Sequence, residues 1–230
     1  MAEQRSLFHH LATIVGDFPN ALRFRARALR DWPCPASYAD GKKMPIVILP
    51  GVYETWHYLR PVADALSAAG HPVHVMSVLG INHRPIPASA ALVWKRIVEL
   101  DLRSFAIVAH SKGGIIGKHL LAYEDDERRI DRMVAIASPF SGTRMARYTF
   151  PAAVREFRPD DPTISKLLTE QTVNSRIISI EPSWDPHIPD GSTLEGARNL
   201  KLPVIGHFRI LLHPDLPQLV IDEVEAVMPA

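Results

Sequence analysis

The 230-residue sequence has one cysteine, almost no net charge and no long apolar run, and each absence excludes a class of protein. Cys34 alone cannot form an internal disulfide, which is compatible with a reducing compartment. The formal net charge of +1 gives no electrostatic case for nucleic acid or an anionic membrane. No stretch reaches the roughly 20 apolar residues of a transmembrane helix, and residues 1–18 are too polar for a signal peptide. We therefore expect a cytoplasmic protein.

The sequence also lacks the spacings of a metal site and of a phosphate-binding loop. Most of its eleven histidines have no Cys, His or carboxylate partner at ligand spacing. Gly113 and Gly114 lack the surrounding spacing of a phosphate-binding loop. We expect neither a metal nor a cofactor.

From residue 45 onwards, short β-rich runs alternate with helical patterns, which predicts a parallel sheet with helices on both faces. The predicted strands lie near 45–50, 72–78, 104–110, 132–138, 175–181 and 201–206, and the helices near 54–69, 88–100, 112–125 and 215–228. We interpret residues 1–44 as an N-terminal helical arm docked on the core and residues 45–230 as the α/β domain. Residues 139–174 form a short cap-like insert, which would leave the site fairly open.

A sharp strand-to-helix turn is predicted at Ser111. The apolar run Phe105–Val108 stops just before it, and a helix-compatible stretch follows at once. Such a turn exposes the serine oxygen above the end of a sheet. Ala109 stands where the pattern G-x-S-x-G has its first glycine, so the match is incomplete, and an ordinary strand-to-helix turn is the alternative.

A serine nucleophile needs a base and an acid that orients it, and on this architecture the order is serine, Asp or Glu, then histidine. Asp185 follows one apolar strand and His207 follows the next, so both would lie past strand ends. Glu181, at the end of the same strand as Asp185, is the rival for the acid, and Asp190 is a more distant one. His110 would pack below the turn, facing away from the serine.

A second backbone donor for an oxyanion would come from the loop after the first strand. The buried run Ile46–Leu49 ends in Pro50-Gly51, so the N–H of Val52 or Tyr53 is the candidate donor, beside the N–H of Lys112 after the serine. The alternative is that Pro50-Gly51 is only a turn.

These motifs resemble those of the α/β-hydrolases, in particular the small bacterial lipases and esterases. The group carries A-H-S-x-G-G at the nucleophile, an aspartate soon followed by proline, and G-H-x-x-L around the histidine, which match residues 109–114, 185–189 and 206–211 here. Residues 138–143 resemble the T-P-H-x-G-[ST] segment of the group, with Ser and Phe replacing Thr and His. The resemblance runs from about residue 45 to residue 225.

The resemblance implies a carboxylic ester hydrolase with Ser111 as nucleophile, His207 as base and Asp185 as acid. A small-molecule ester with a hydrophobic acyl group is the expected substrate. The alternatives within this class are a thioesterase and an acyltransferase. A non-catalytic binding module is a further alternative, although such modules usually lack one triad residue.

We assign four residues to the substrate groove: Gly51, Phe140, His187 and Phe208. For the side chain of Lys112 two hypotheses remain open. Its ammonium group could lie near the groove and favour anionic substrates, or it could be solvated without a role.

Overall fold

The computed structural model describes residues 34–149 and 151–227. Most of the predicted N-terminal arm, residues 1–33, lies outside the described residues. The described remainder of that segment contains one short 3₁₀-helix, Ala36–Ala39.

A six-stranded parallel sheet forms the centre of the fold, in the order β2-β1-β3-β4-β5-β6. The strands are β1 (Ile46–Leu49), β2 (Val73–Val75), β3 (Phe105–His110), β4 (Ile130–Ile136), β5 (Ile177–Trp184) and β6 (Arg198–Ile205). The fold class predicted from the sequence is therefore confirmed. Every residue of β1 and β3 is buried, as expected for inner strands of a parallel sheet that is covered on both faces.

Six helices connect or flank the strands among the described residues. They are α1 (Arg60–Ala68), α2 (Ile86–Glu99), α3 (Lys112–Tyr123), α4 (Ala152–Arg155), α5 (Pro162–Thr169) and α6 (Leu216–Glu225). The predicted helix 54–69 begins as a 3₁₀-helix, Trp56–Leu59, and becomes α-helical at Arg60. Pro61 lies in the first turn of α1, where a missing N–H costs no hydrogen bond. None of the helices in the described ranges is long and apolar enough to cross a membrane.

Alternate residues of each strand point to opposite faces of the sheet, so the fold has two hydrophobic cores. On one face, Val47 and Ile107 pack with the apolar sides of α2, α3 and α5. On the other face, Ile48 and Val108 pack with α1 and α6. Because the strands are parallel and the helices cover both faces, the loops at the carboxyl ends of the strands all meet at one edge of the sheet.

Candidate active site

Ser111 occupies a strained turn between β3 and α3. Its backbone has φ 52° and ψ −119°, a combination that non-glycine residues rarely adopt. The N–H of Ser111 donates to the carbonyl oxygen of Ile136 at 2.9 Å, which ties the turn to the end of β4. The serine side chain is thus held between a strand end and a helix N-terminus, as the sequence predicted for a nucleophile turn.

The two glycines after Ser111 allow α3 to approach the strands closely. A Cβ atom on Gly113 would clash with the carbonyl oxygen of Leu49, and one on Gly114 would clash with the hydroxyl of Ser138. Both positions are in α3, where glycine normally costs stability compared with alanine. The glycines are therefore explained by the close packing that the turn requires.

His207 pairs with Asp185 at the same edge of the sheet. The Nδ1 atom of His207 lies 2.7 Å from Oδ2 of Asp185, and both residues are buried. The other carboxylate oxygen of Asp185 accepts from the N–H groups of His187, at 2.8 Å, and Ile188, at 3.1 Å. Burial by itself would raise the pKa of Asp185, but the charge and hydrogen bond of His207 outweigh it and place the pKa below its ordinary value.

The two rival carboxylates have other partners. Glu181 lies 3.0 Å from the ammonium group of Lys201 and accepts from the N–H of Ser192 at 2.8 Å. Asp190 pairs with the guanidinium group of Arg144 at 2.6 Å. Only Asp185, of the three candidates for the acid, is hydrogen-bonded to His207 among the contacts in the described ranges.

Ser111 and His207 line one cavity of about 270 Å³. Half of its lining residues come from the insert 139–174, including Met145, Val154 and Phe157. Ser111 is only 6% exposed, so the serine is less accessible than the open groove expected from the sequence would make it. The wall is mostly apolar, which suits a hydrophobic substrate group.

Two contacts fasten the insert to the rest of the site. The hydroxyl of Thr143 donates to the carbonyl oxygen of His187 at 2.8 Å, next to Asp185. Glu156, which follows α4, forms an ion pair with Lys112 and also accepts from the N–H of Ile86 at 3.0 Å. The first contact reaches the loop that carries the acid and the second reaches the start of α3.

The structure contradicts the hypothesis that the Lys112 side chain is solvated, and it places the ammonium group behind the cavity wall, 5.8 Å from the centre of the Phe157 ring. The residue is fully buried, and its ammonium group donates to Glu156 and, at 2.5 Å, to the carbonyl oxygen of Arg84. Burial lowers the pKa of Lys112 and raises that of Glu156, and their mutual contact opposes both shifts. The ammonium group thus faces away from solvent and is not among the cavity-lining residues. Its backbone N–H remains a candidate oxyanion donor at the start of α3.

Of the four residues assigned to the groove, His187 and Phe208 line the cavity, whereas Gly51 and Phe140 do not. Phe140 is 3% exposed and packs in the hydrophobic core. Gly51 is buried behind the carboxylate of Glu54, which occupies the space that a side chain at position 51 would fill. The structure corrects both assignments.

The loop after β1 contains both remaining candidates for oxyanion donation. Val52 lines the cavity with Ser111, and Tyr53 does not. Tyr53 has a left-handed backbone, with φ 58°, which gives this loop a sharp bend. Sequence reasoning missed Glu54, which also lines the cavity, because a lone carboxylate in a crossover loop carries no recognisable signal.

Glu54, His110 and His207 each offer a possible ligand atom within 4.8 Å of the others, a spacing that could hold a metal ion. Each of the three side chains already has a hydrogen-bond partner in the protein: Glu54 with His110, and His207 with Asp185. The arrangement is therefore satisfied as a hydrogen-bonded cluster.

Comparison with known proteins agrees with this fold. The sequence model of the alpha/beta hydrolase fold matches residues 44–176, and the chain belongs to this family. It is 30% identical over 167 residues to haloalkane dehalogenase 1 of Mycobacterium tuberculosis, a match that covers 67% of this chain and 54% of the dehalogenase. The chain thus spans about half the length of the curated relatives that it matches.

Two solved structures illustrate the likeness in fold. Lipase B of Aspergillus fumigatus has a TM-score of 0.71 at 18% identity, over 85% of this chain and 56% of the lipase. The lipase BlEst2 of Bacillus licheniformis has a TM-score of 0.61 at 15% identity, over 84% of this chain and 96% of the lipase. At these identities the likeness concerns the fold.

Proposed function

We propose that this protein is a serine hydrolase that cleaves carboxylic esters with hydrophobic acyl groups through an acyl-enzyme. The observation that carries the proposal is one apolar cavity lined by Ser111, on a strained turn, and by His207, whose Nδ1 atom pairs with Asp185 at 2.7 Å. A nucleophile, a base and an orienting acid are the groups that acyl transfer to water needs. The cytoplasm remains the expected location.

In this mechanism His207 removes the proton of Ser111 as its oxygen attacks the ester carbonyl. Asp185 holds the imidazole with Nδ1 protonated, so that Nε2 can accept that proton and later return it to the leaving alcohol. The N–H groups of Lys112 and Val52 would donate to the oxyanion; we favour Val52 over Tyr53 because Val52 lines the cavity. Water then hydrolyses the serine ester with His207 again as base.

The cavity also limits the substrate. Its volume of about 270 Å³ lies just below the usual range of about 300–1,000 Å³ for drug-sized ligands, so short to medium acyl chains fit best. Lys112 does not line the cavity, and no other lysine or arginine is among the lining residues in the described ranges. We therefore expect neutral esters to be preferred over esters that carry a carboxylate.

The dehalogenase relatives suggest carbon–halogen cleavage as a second function, and the nucleophile argues against it. If the oxygen of Ser111 displaced a halide, the product would be an alkyl ether of serine. An ether has no carbonyl carbon for water to attack, so the enzyme would stop after one turnover. An ester of serine, in contrast, is hydrolysed by the same base that formed it.

The deciding experiment is labelling with a fluorophosphonate probe combined with a substrate panel. Wild type should react with the probe, whereas Ser111→Ala should fail to react and should lose on the order of 10⁶-fold in turnover. The exposed Ser141→Ala is the matched control and should behave as wild type. p-Nitrophenyl esters of increasing chain length, acyl thioesters, an alcohol acceptor and a haloalkane then separate the esterase from the alternatives. Labelling of folded Ser111→Ala, or halide release in many turnovers, would contradict the proposal.

A further inference from the structure

Another buried pair of ionisable groups, Glu54 and His110, adjoins the site, and Glu54 is part of the cavity wall. Glu54 is 3% exposed and His110 is fully buried. The Nδ1 atom of His110 lies 2.9 Å and 3.0 Å from the two carboxylate oxygens of Glu54. The mechanism above does not use either side chain, and burying both groups is costly unless they remain paired.

The pair connects two loops of the site to the nucleophile turn. The N–H of Gly51 donates to Glu54 at 2.8 Å, at the start of the loop that contains Val52. On the other side, Nε2 of His110 lies 3.2 Å from the carbonyl oxygen of His207. Because a carbonyl oxygen only accepts hydrogen bonds, Nε2 must carry a hydrogen and donate it.

Packing supports the same connection. The rings of His110 and His207 lie 4.7 Å apart with an angle of 45° between their planes. His110 is also the last residue of β3 and immediately precedes Ser111. The imidazole of His110 therefore contacts both the ring and the main-chain carbonyl of His207. A peptide bond joins residue His110 directly to Ser111.

We propose that Glu54 and His110 are positioning residues. They hold the loop that contains Val52 and the side chain of His207 in place relative to Ser111. This inference rests on the proposed function. His110 does not line the cavity and Glu54 contributes only to its wall, so neither needs to touch the ester bond. Their effect would arise because small misplacements of reacting groups are expensive: about 1 Å can cost about 10²-fold in rate.

The two nitrogens of His110 can be tested separately. Asn places an amide donor near the position of Nδ1, so His110→Asn keeps the contact with Glu54 and loses the donor to His207. Gln reaches the position of Nε2, so His110→Gln keeps the donor to His207. We expect kcat to fall about 10²-fold in His110→Asn and about tenfold in His110→Gln, with KM changed less than about threefold in both.

His71 provides a matched control far from the site. It is also a buried histidine, with Nδ1 2.9 Å from the carbonyl oxygen of Met44 and Nε2 3.1 Å from Glu225. His71→Asn and His71→Gln should lower the melting temperature about as much as the His110 variants while leaving kcat unchanged. If the His110 variants lose no more turnover than the His71 variants at equal loss of stability, the pair is merely structural and the inference fails.

A second measurement is independent of any substrate. The proton between Nδ1 of His207 and Asp185 should give a far-downfield proton resonance, assigned by its loss in Asp185→Asn. We expect this resonance to shift or broaden in His110→Asn and to stay unchanged in His71→Asn. An unchanged resonance in His110→Asn would overturn the inference even if the wild type proved inactive on every ester, whereas inactivity alone would count only against the proposed function.

Discussion

Two buried histidines lie at opposite ends of the parallel strands and have the same two kinds of hydrogen-bond partner. His110, at the carboxyl end of β3, contacts Glu54 and a main-chain carbonyl oxygen. His71, just before β2, contacts Glu225 and a main-chain carbonyl oxygen. The difference lies in the surroundings, because Glu54 is buried whereas the side chain of Glu225 is 41% exposed and also pairs with Lys43 at 2.6 Å.

We infer from this comparison that what a buried pair can do depends on its position along the parallel strands as well as on its local surroundings. At the carboxyl ends of the strands the carbonyl partner belongs to His207, the proposed base, so the proposed role of the pair is to position that residue. At the amino edge the partner is Met44, next to β1, and the pair joins the sheet to α6. Substitutions at the carboxyl edge should therefore change rates, and those at the amino edge should change stability alone.

The largest expected difference between the two edges concerns the acid. Asp185→Asn should lower kcat by about 10⁴-fold, because an amide cannot hold His207 in the productive tautomer. Glu181→Gln, on the strand that precedes Asp185, and Glu225→Gln, at the opposite ends of the strands, are the matched controls. Steady-state kinetics on one p-nitrophenyl ester would decide, and a Glu225→Gln enzyme as damaged as Asp185→Asn would break the comparison.

At the buried ion pair of Lys112 and Glu156 we expect a smaller effect on kcat than at Asp185, and a larger effect on stability. Lys112→Met leaves Glu156 without its cation and should cost about 3–5 kcal/mol of unfolding free energy. The backbone N–H of residue 112 is kept, so kcat should fall less than about tenfold. The test is urea unfolding of Lys112→Met, of Glu156→Leu and of the double variant Lys112→Met/Glu156→Leu. The double variant should be more stable than Lys112→Met, and strict additivity would contradict a direct interaction.

The smallest effect on activity is expected at Lys118, farther along α3 and away from both edges. It is 2% exposed, and burial lowers its pKa from an ordinary value of 10.5 to about 8. Between these values the unfolded chain binds more protons than the folded one, so the stability of the wild type rises with pH. Lys118→Met should therefore be the more stable protein below pH 8, by about 1–3 kcal/mol, and lose this advantage by about pH 10.5.

The measurement for Lys118 is thermal unfolding of both proteins between pH 6 and about pH 10.5. Turnover at neutral pH should be the same in both. A stability difference that stays constant with pH would mean that the lysine does not titrate in this range. The effect would then reflect packing alone.

The strands were predictable because buried parallel strands are continuous apolar runs with few alternatives. Their ends were less so. The predicted strand 175–181 extends to Trp184, past Pro182, because β4 pairs with β5 only as far as Ile180, so the missing N–H of the proline removes no bond to β4. The predicted strand 132–138 begins earlier, at Ile130. Near this end of the strand, the guanidinium group of Arg132 donates to the carbonyl oxygen of Glu223.

In the site, chain order indicated which serine, acid and histidine to consider, because the fold fixes that order. The contacts behind the site could not be predicted. Glu54 and His110 are 56 residues apart, and Lys112 and Glu156 are 44 apart, so each pair depends on how loops pack in three dimensions. A lysine after the serine looks like a surface residue in the sequence, and only the fold buries it.

The left-handed backbone at Ser111 has a consequence for laboratory evolution. A non-glycine residue with such a backbone costs about 1–3 kcal/mol, and the neighbouring strand end repeats the feature at Ala137, with φ 48°. Selection for heat resistance alone would favour glycine at both positions. At 137 the change would leave the proposed triad intact, but at 111 it would remove the proposed nucleophile together with the strain. A stabilised descendant of this chain therefore has to be selected for turnover in every round.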